Sequence, residues 1–116
     1  MEIKKNVLAD TSASWDENPL PPYPDGQPHV TVLDIEIPAG ARLAMHYHPM
    51  INAGVVTQGT LTVVSADGHR RHFHKGEAIV ELVDKPHYGV NEGDQPVRLI
   101  MFYAGAEHQP LSLPAD

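Results

Sequence analysis

His46 and His48, separated by one residue, are the first groups in this sequence whose types and spacing suggest chemistry. On a strand, side chains alternate between faces, so the two imidazoles point the same way, about 6.6 Å apart along the backbone, and Tyr47 points oppositely. Two such rings share a metal ion at about 2.0–2.1 Å from each nitrogen. Taken alone, this pairing is weakly specific. The chain has no cysteine, so thiolate ligands, disulfides and cysteine nucleophiles are excluded, and a metal must be held by nitrogen and oxygen donors. A second pair sits in Arg71-His72-Phe73-His74-Lys75, where basic neighbours repel a cation, and it reads as a solvated strand face. His29, His69 and His108 have no partner at ligand spacing.

The elements that must position these groups are short strands. From Val30 the pattern has period two, with Val30, Val32, Asp34 and Glu36 alternating with Thr31, Leu33, Ile35 and Ile37 before Pro38-Ala39-Gly40 closes the run. The spacing predicts further strands over Leu43–His48, Gly54–Thr57, Thr60–Ser65, Arg70–His74, Ala78–Val83 and Val97–Tyr103. Asp67-Gly68 provides a hairpin turn, Lys75-Gly76-Glu77 a second turn, and Asp84-Lys85-Pro86 bends the chain before His87. Residues 1–28 read as an arm, because Leu20-Pro21-Pro22-Tyr23-Pro24 removes too many backbone donors for a central strand. Trp15 and Tyr23 are expected to pin it to a neighbouring surface of the same subunit or another. A barrel is expected over residues 29–104, followed by a loose tail over 105–116. Nine glycines and eleven prolines among 116 residues fit many turns and few helices, an all-β jelly roll or small barrel in one domain.

Charge and terminal pattern narrow the function classes. Fifteen acidic residues against eight basic ones give a formal charge of −7, and the only basic cluster is Arg70-Arg71 near Lys75, so no nucleic-acid partner is expected. The N-terminal stretch lacks the apolar core of a signal peptide, and no run approaches membrane-spanning length, so no membrane partner and a cytoplasmic location are expected.

The context of the histidine pair is more specific than the pair itself. Gly40 is followed by five residues, then His46-Tyr47-His48, three more, Asn52, six more, and Gly59. This resembles the first motif of the cupin superfamily, G(x)5HxH(x)3–4E(x)6G, with asparagine in place of glutamate. The stretch from Gly76 resembles the second motif, G(x)5PxG(x)2H(x)3N, with Leu82 at the proline, Asp84 at the glycine, and His87 and Asn91 matching. The resemblance covers about residues 30 to 103 and implies a cupin-type double-stranded β-helix, a small single-domain cupin. It further implies a divalent metal inside the barrel (iron, manganese, nickel, zinc or copper) on His46, His48 and His87.

Asn52 is the departure from the motif. A neutral amide leaves a divalent ion at a net +2, where a glutamate would leave +1, so the ion is held less firmly and attracts anions more strongly. Asn52 either ligates the ion or hydrogen-bonds a water or substrate beside it. Glu81, in the apolar run Ala78-Ile79-Val80-Glu81-Leu82-Val83, either faces solvent or is buried on purpose. Facing inward, it would be a proton shuttle or a substitute metal ligand. Among the aromatics, Tyr88, Phe102 and Tyr103 read as core, with room for one of them to line the pocket.

The resemblance allows a metal-dependent dioxygenase, decarboxylase, isomerase or cyclase acting on a small anionic or enolisable molecule, in a pocket of roughly 300 Å³. Two other readings are a binding or sensing module without turnover, and a metal-free sugar isomerase-like cupin using His87 and Glu81 as acid and base. The arm and the unprotected sheet edges lead to the expectation of a homodimer.

Overall fold

The structure, a computed structural model, describes residues 1–115. Nine strands form among them: β1 Pro28–Ile37, β2 His46–Tyr47, β3 Ile51–Gln58, β4 Thr60–Ser65, β5 Arg70–His74, β6 Ala78–Val80, β7 His87–Val90, β8 Val97–Ala106 and β9 Leu113–Pro114. They make two facing antiparallel sheets, ordered β1-β8-β3-β6 and β5-β4-β7-β2-β9. This is the all-β architecture expected from the alternation and turn spacing, with the two sheets that the cupin resemblance implies. No helix among the described residues is long and apolar enough to cross a membrane.

The core lies between the sheets and follows the period of two. In β8, Val97, Leu99, Met101 and Tyr103 point inward and are buried, while Arg98, Ile100 and Phe102 point out. In β1 the inward set is Thr31, Leu33, Ile35 and Ile37, which register against β8 residue by residue. Ile79 adds to this side from β6, and Leu61, Val63 and Phe73 face it from the other sheet. Interdigitated packing of this kind leaves little free volume, so truncating a fully buried aliphatic side chain costs about 2–5 kcal/mol.

Turn chemistry sets the corners. Gly59 sits at φ +76° between β3 and β4, where a Cβ would lie 2.9 Å from the Pro96 carbonyl oxygen, so only glycine fits. Asp84 occupies the glycine position of the second cupin motif and adopts φ +57°, a left-handed conformation that Asp tolerates better than most residues.

Several boundaries differ from the sequence expectation. The strand read over Leu43–His48 contracts to His46–Tyr47, and that over Ala78–Val83 ends at Val80. The stretch read over Gly54–Thr57 lengthens to Ile51–Gln58, and His87–Val90 forms a strand of its own. From Gly105 to Ala115 the chain is tied back to the barrel, and Asp116 lies outside the described residues. β8 runs on to Ala106, Gln109 bonds back to Pro49 and Ala106, and β9 pairs with β2. The reason is that β2, two residues long, has an open edge whose backbone groups need partners, and Leu113–Pro114 supplies them.

Candidate metal centre

β2 and β7 bring the three histidines together. His46 is the cross-strand partner of His87 in an antiparallel pair, which puts both rings on one face of the sheet, and His48 follows two residues later on that face. Ring centroids lie 4.7 Å apart for His46–His87, 4.9 Å for His46–His48 and 5.0 Å for His48–His87. Their candidate ligand nitrogens all lie within 4.8 Å of one another, so small ring movements bring the set around one ion. His48 and His87 are buried, and His46 is half-buried toward the mouth.

Each imidazole is oriented by the main chain. Nδ1 of His46 lies 2.7 Å from the Ala44 carbonyl oxygen, Nδ1 of His48 2.8 Å from that of Leu111, and Nδ1 of His87 2.9 Å from that of Lys85. A carbonyl oxygen only accepts, so Nδ1 carries a proton in all three rings, and a ring in its neutral form then has its lone pair on Nε2. Burial holds His48 down to about 4 and pushes His46 below the ordinary histidine value, so both are neutral near pH 7. Neutral rings with free Nε2 atoms are what a cation requires.

Two buried polar atoms at the site have no hydrogen-bond partner: Nε2 of His87 and Oδ1 of Asn52. Orphaned buried polar atoms are rare and costly, and their pairing in one cavity fits a group that an ion or its bound water would satisfy. Asn52, 1% exposed, donates Nδ2–H to the Met50 carbonyl at 3.1 Å, which fixes the amide with its oxygen free. Its cross-strand partner on β8 is Tyr103, whose ring lies 5.6 Å from that of His48 and whose hydroxyl pKa is raised by burial.

Glu81 faces inward, which decides between the two orientations left open by its sequence. It is 7% exposed, and its Oε2 lies 3.6 Å from His87 Nε2, too far for a hydrogen bond but close enough for both to approach one ion. Donors at about 2.1 Å from a common ion are separated by at most about 4.2 Å. The other oxygen, Oε1, accepts from the Leu82 backbone N–H at 3.1 Å and from Trp15 Nε1–H at 2.7 Å. Trp15 thus pins the arm to its own subunit. Tyr23 is 77% exposed and lines an outer groove with Pro24, Pro28 and Val30.

The cavity enclosed by these groups measures about 60 Å³, not the roughly 300 Å³ expected for a ligand pocket. Ile35, Ile37, Leu43, Leu99 and Met101 fill the remaining wall. At ~30 Å³ per water, that is space for about two waters or a ligand of a few atoms. Larger clefts, of about 320 and 390 Å³, lie elsewhere and contain none of the three histidines.

His72 and His74 are outside the cluster, exposed on β5, with Nδ1 atoms paired to the Thr62 and Thr60 hydroxyls at 2.8 and 3.1 Å. The indole on Glu81 and the Leu111 carbonyl on His48 were not foreseen as parts of the site. The sequence offers Trp15 as an anchor, but nothing in its local pattern names the partner. A backbone carbonyl leaves no sequence signal at all.

Comparison with known proteins agrees with this architecture. The chain is similar to a double-stranded β-helix protein from Klebsiella pneumoniae at 19% identity and a TM-score of 0.65, covering 84% of this chain and 90% of that one. It is also similar to the polyketide cyclase RemF from Streptomyces resistomycificus at 20% identity and a TM-score of 0.64, covering 75% of this chain and 61% of the other. An oxalate oxidase in complex with the substrate analogue glycolate is matched at 20% identity and a TM-score of 0.58, over 66% of this chain and 42% of that one. The chain therefore spans less than two thirds of the length of either enzyme. At these identities the likeness is one of fold. No curated protein matches in sequence. The cupin domain family model, in contrast, matches residues 33–103, a stretch that runs from β1 through both motifs to Tyr103 at the wall of the cavity, and on that match the chain belongs to the cupin family.

Proposed function

We propose that this protein holds a divalent metal ion on His46, His48 and His87 and uses it to act on a small anionic or enolisable organic molecule. The observation that carries the reading is the set of three imidazoles, each with Nδ1 bonded to a main-chain carbonyl and Nε2 turned inward. When bound, the ion would supply a Lewis-acidic centre, with redox capacity if it is iron, manganese, nickel or copper. The chain's own groups do the rest. Asn52 Oδ1 accepts a hydrogen bond from the ligand or its water, and Glu81 turns Oε2 to the same cavity, as a proton shuttle or as a further ligand. The aliphatic wall excludes bulk water, and the cavity of about 60 Å³ restricts the ligand to a few atoms unless side chains at the mouth move. Leu43, 41% exposed, is the residue placed to do so. Dioxygenase, isomerase, decarboxylase and cyclase chemistry all remain within this reading.

Elemental analysis of freshly purified protein tests it first, followed by turnover against diketones, catechols and keto acids. Substoichiometric metal that does not rise on reconstitution would refute the metal reading. Metal without turnover would favour a binding or sensing module. The metal-free alternative, with His87 and Glu81 as acid and base, is favoured by their 3.6 Å approach. The tight, largely aliphatic cavity counts against a sugar as its substrate. We further propose a homodimer, supported by the exposed apolar face of Val30, Val32, Ile100 and Phe102 on β1 and β8. Light scattering in solution tests the pairing.

A further inference from the structure

We infer that the turn spanning residues 12–20 in the N-terminal arm is part of the metal centre: Trp15 is a positioning residue for Glu81, and Glu81 supplies the carboxylate that position 52 lacks. The inference rests on the three-histidine reading above and extends it to a residue 66 positions away in the chain.

The two oxygens of Glu81 have different tasks. Oε1 accepts from both Trp15 Nε1–H and the Leu82 N–H, at 2.7 and 3.1 Å. An indole nitrogen only donates, so this contact fixes which oxygen is held and turns Oε2 toward the histidines, 3.6 Å from the unpartnered Nε2 of His87. The family motif places its carboxylate on the strand that carries Asn52. Here the same cavity is reached from the chain just beyond β6, whose Glu81 N–H bonds the Asn52 carbonyl at 2.9 Å.

Trp15 is itself held on three sides. Its backbone N–H donates to the Val80 carbonyl at 2.9 Å, and its ring meets Phe73 edge-on at 6.2 Å. The turn is closed by Ser14 N–H to Asn18 and Leu20 N–H to Ser12, with Glu17 in the left-handed region at φ +72°. The next residue, Asp16, takes Lys85 Nζ at 2.7 Å, and the Lys85 carbonyl is the group that holds His87 Nδ1. Adjacent residues of the arm therefore grip both ends of the segment 81–87, which carries two of the groups facing the cavity. Docking of the turn and binding of an ion are coupled, and the coupling is reciprocal.

The test is Zn²⁺ binding to the full-length chain, measured by chelator competition for wild type, Trp15→Phe, Glu81→Ala and the double variant. Trp15→Phe keeps an aromatic ring against Phe73 and removes only the N–H donor. It is expected to weaken Zn²⁺ by about 10–100-fold, the usual loss when a ligand's orienting partner is removed. Glu81→Ala should weaken it at least as much, and the double variant no further. Trp15 is the only tryptophan in the chain. Its emission should change with Zn²⁺ at the same midpoint as the competition, and Glu81→Ala should abolish that change while leaving residual binding. Asp16→Ala, which removes the acceptor for Ser14, Asn18 and Lys85 without touching Glu81 and leaves Lys85 its pair with Asp67, gives an independent arm and should show a smaller loss. Wild-type binding that neither Trp15→Phe nor Asp16→Ala weakens would overturn the role of the turn alone. A loss in Trp15→Phe that persists undiminished without Glu81 would do the same. Failure of the wild type to bind Zn²⁺ would instead remove the three-histidine reading, and this inference with it.

Discussion

Replacing Asn52 by glutamate should make the stability of this barrel depend on metal. Asn52 is 1% exposed, with its oxygen unpartnered and its amide nitrogen spent on the Met50 carbonyl. A glutamate there places a carboxylate in a cavity that already holds Glu81. Without an ion, an uncompensated buried charge costs about 3–5 kcal/mol. At ~4 °C or more of melting temperature per kcal/mol for a domain of this size, the chelator-treated variant should melt at least ~12 °C below wild type. With an ion bound, the added charge is compensated and the deficit should close, while the site's net charge falls by one and anionic ligands bind more weakly. Asn52→Gln is the control, since it adds the same length without the charge. Any overpacking cost, about 1–3 kcal/mol, appears in both variants and is not relieved by metal. The assay is thermal unfolding with and without metal, beside a dicarboxylate titration of the reconstituted proteins. If Asn52→Glu and Asn52→Gln melt together under both conditions and bind the dicarboxylate equally, position 52 does not face the ion, and the reasoning about its amide oxygen fails.

Three further outcomes are expected. Replacing His72 and His74 together by alanine should leave metal content unchanged, because both are exposed and engaged with threonine hydroxyls; metal loss in a folded double variant would show that the wrong pair was chosen. Metal-free protein should lose stability as pH falls from about 6.5 toward 4: the unfolded chain protonates His48 from its ordinary value of 6.5, and the folded chain resists until about 4. The difference amounts to roughly 3 kcal/mol at most, absent above pH 6.5, and urea midpoints should flatten across that window in His48→Asn. Leu99→Ala, at a buried position lining the cavity, should cost about 2–5 kcal/mol in urea unfolding; a cost near zero would mean the wall is loosely packed.

The histidine set was legible because two motifs at fixed spacing identify it, and spacing along strands is what a sequence records directly. The inward face of β1 was legible for the same reason, through its period of two. Glu81 was not. It follows Val80, where β6 ends, and both Glu81 and Leu82 are buried in succession, so the alternation that assigns faces has already stopped. The length of β2 and the ordering of the C-terminal segment escaped because each is decided by the other: two residues of strand persist only where Leu113–Pro114 covers their edge. The cavity was overestimated because composition reports which residues are aliphatic but not that Ile35, Leu99 and Met101 converge on the same small volume.

The anchoring of all three imidazoles by main-chain oxygens, at Ala44, Leu111 and Lys85, separates two properties that most sites confound. Every residue type carries a carbonyl, so mutational drift at those three positions leaves the tautomers intact as long as the backbone path holds. Meanwhile Ile35, Leu43 and Leu99 can change the shape and reach of the cavity without disturbing any partner of the histidines. Selectivity and ligand orientation are thus free to evolve independently, and a directed library confined to the aliphatic wall should yield altered ligand preference at little loss of metal.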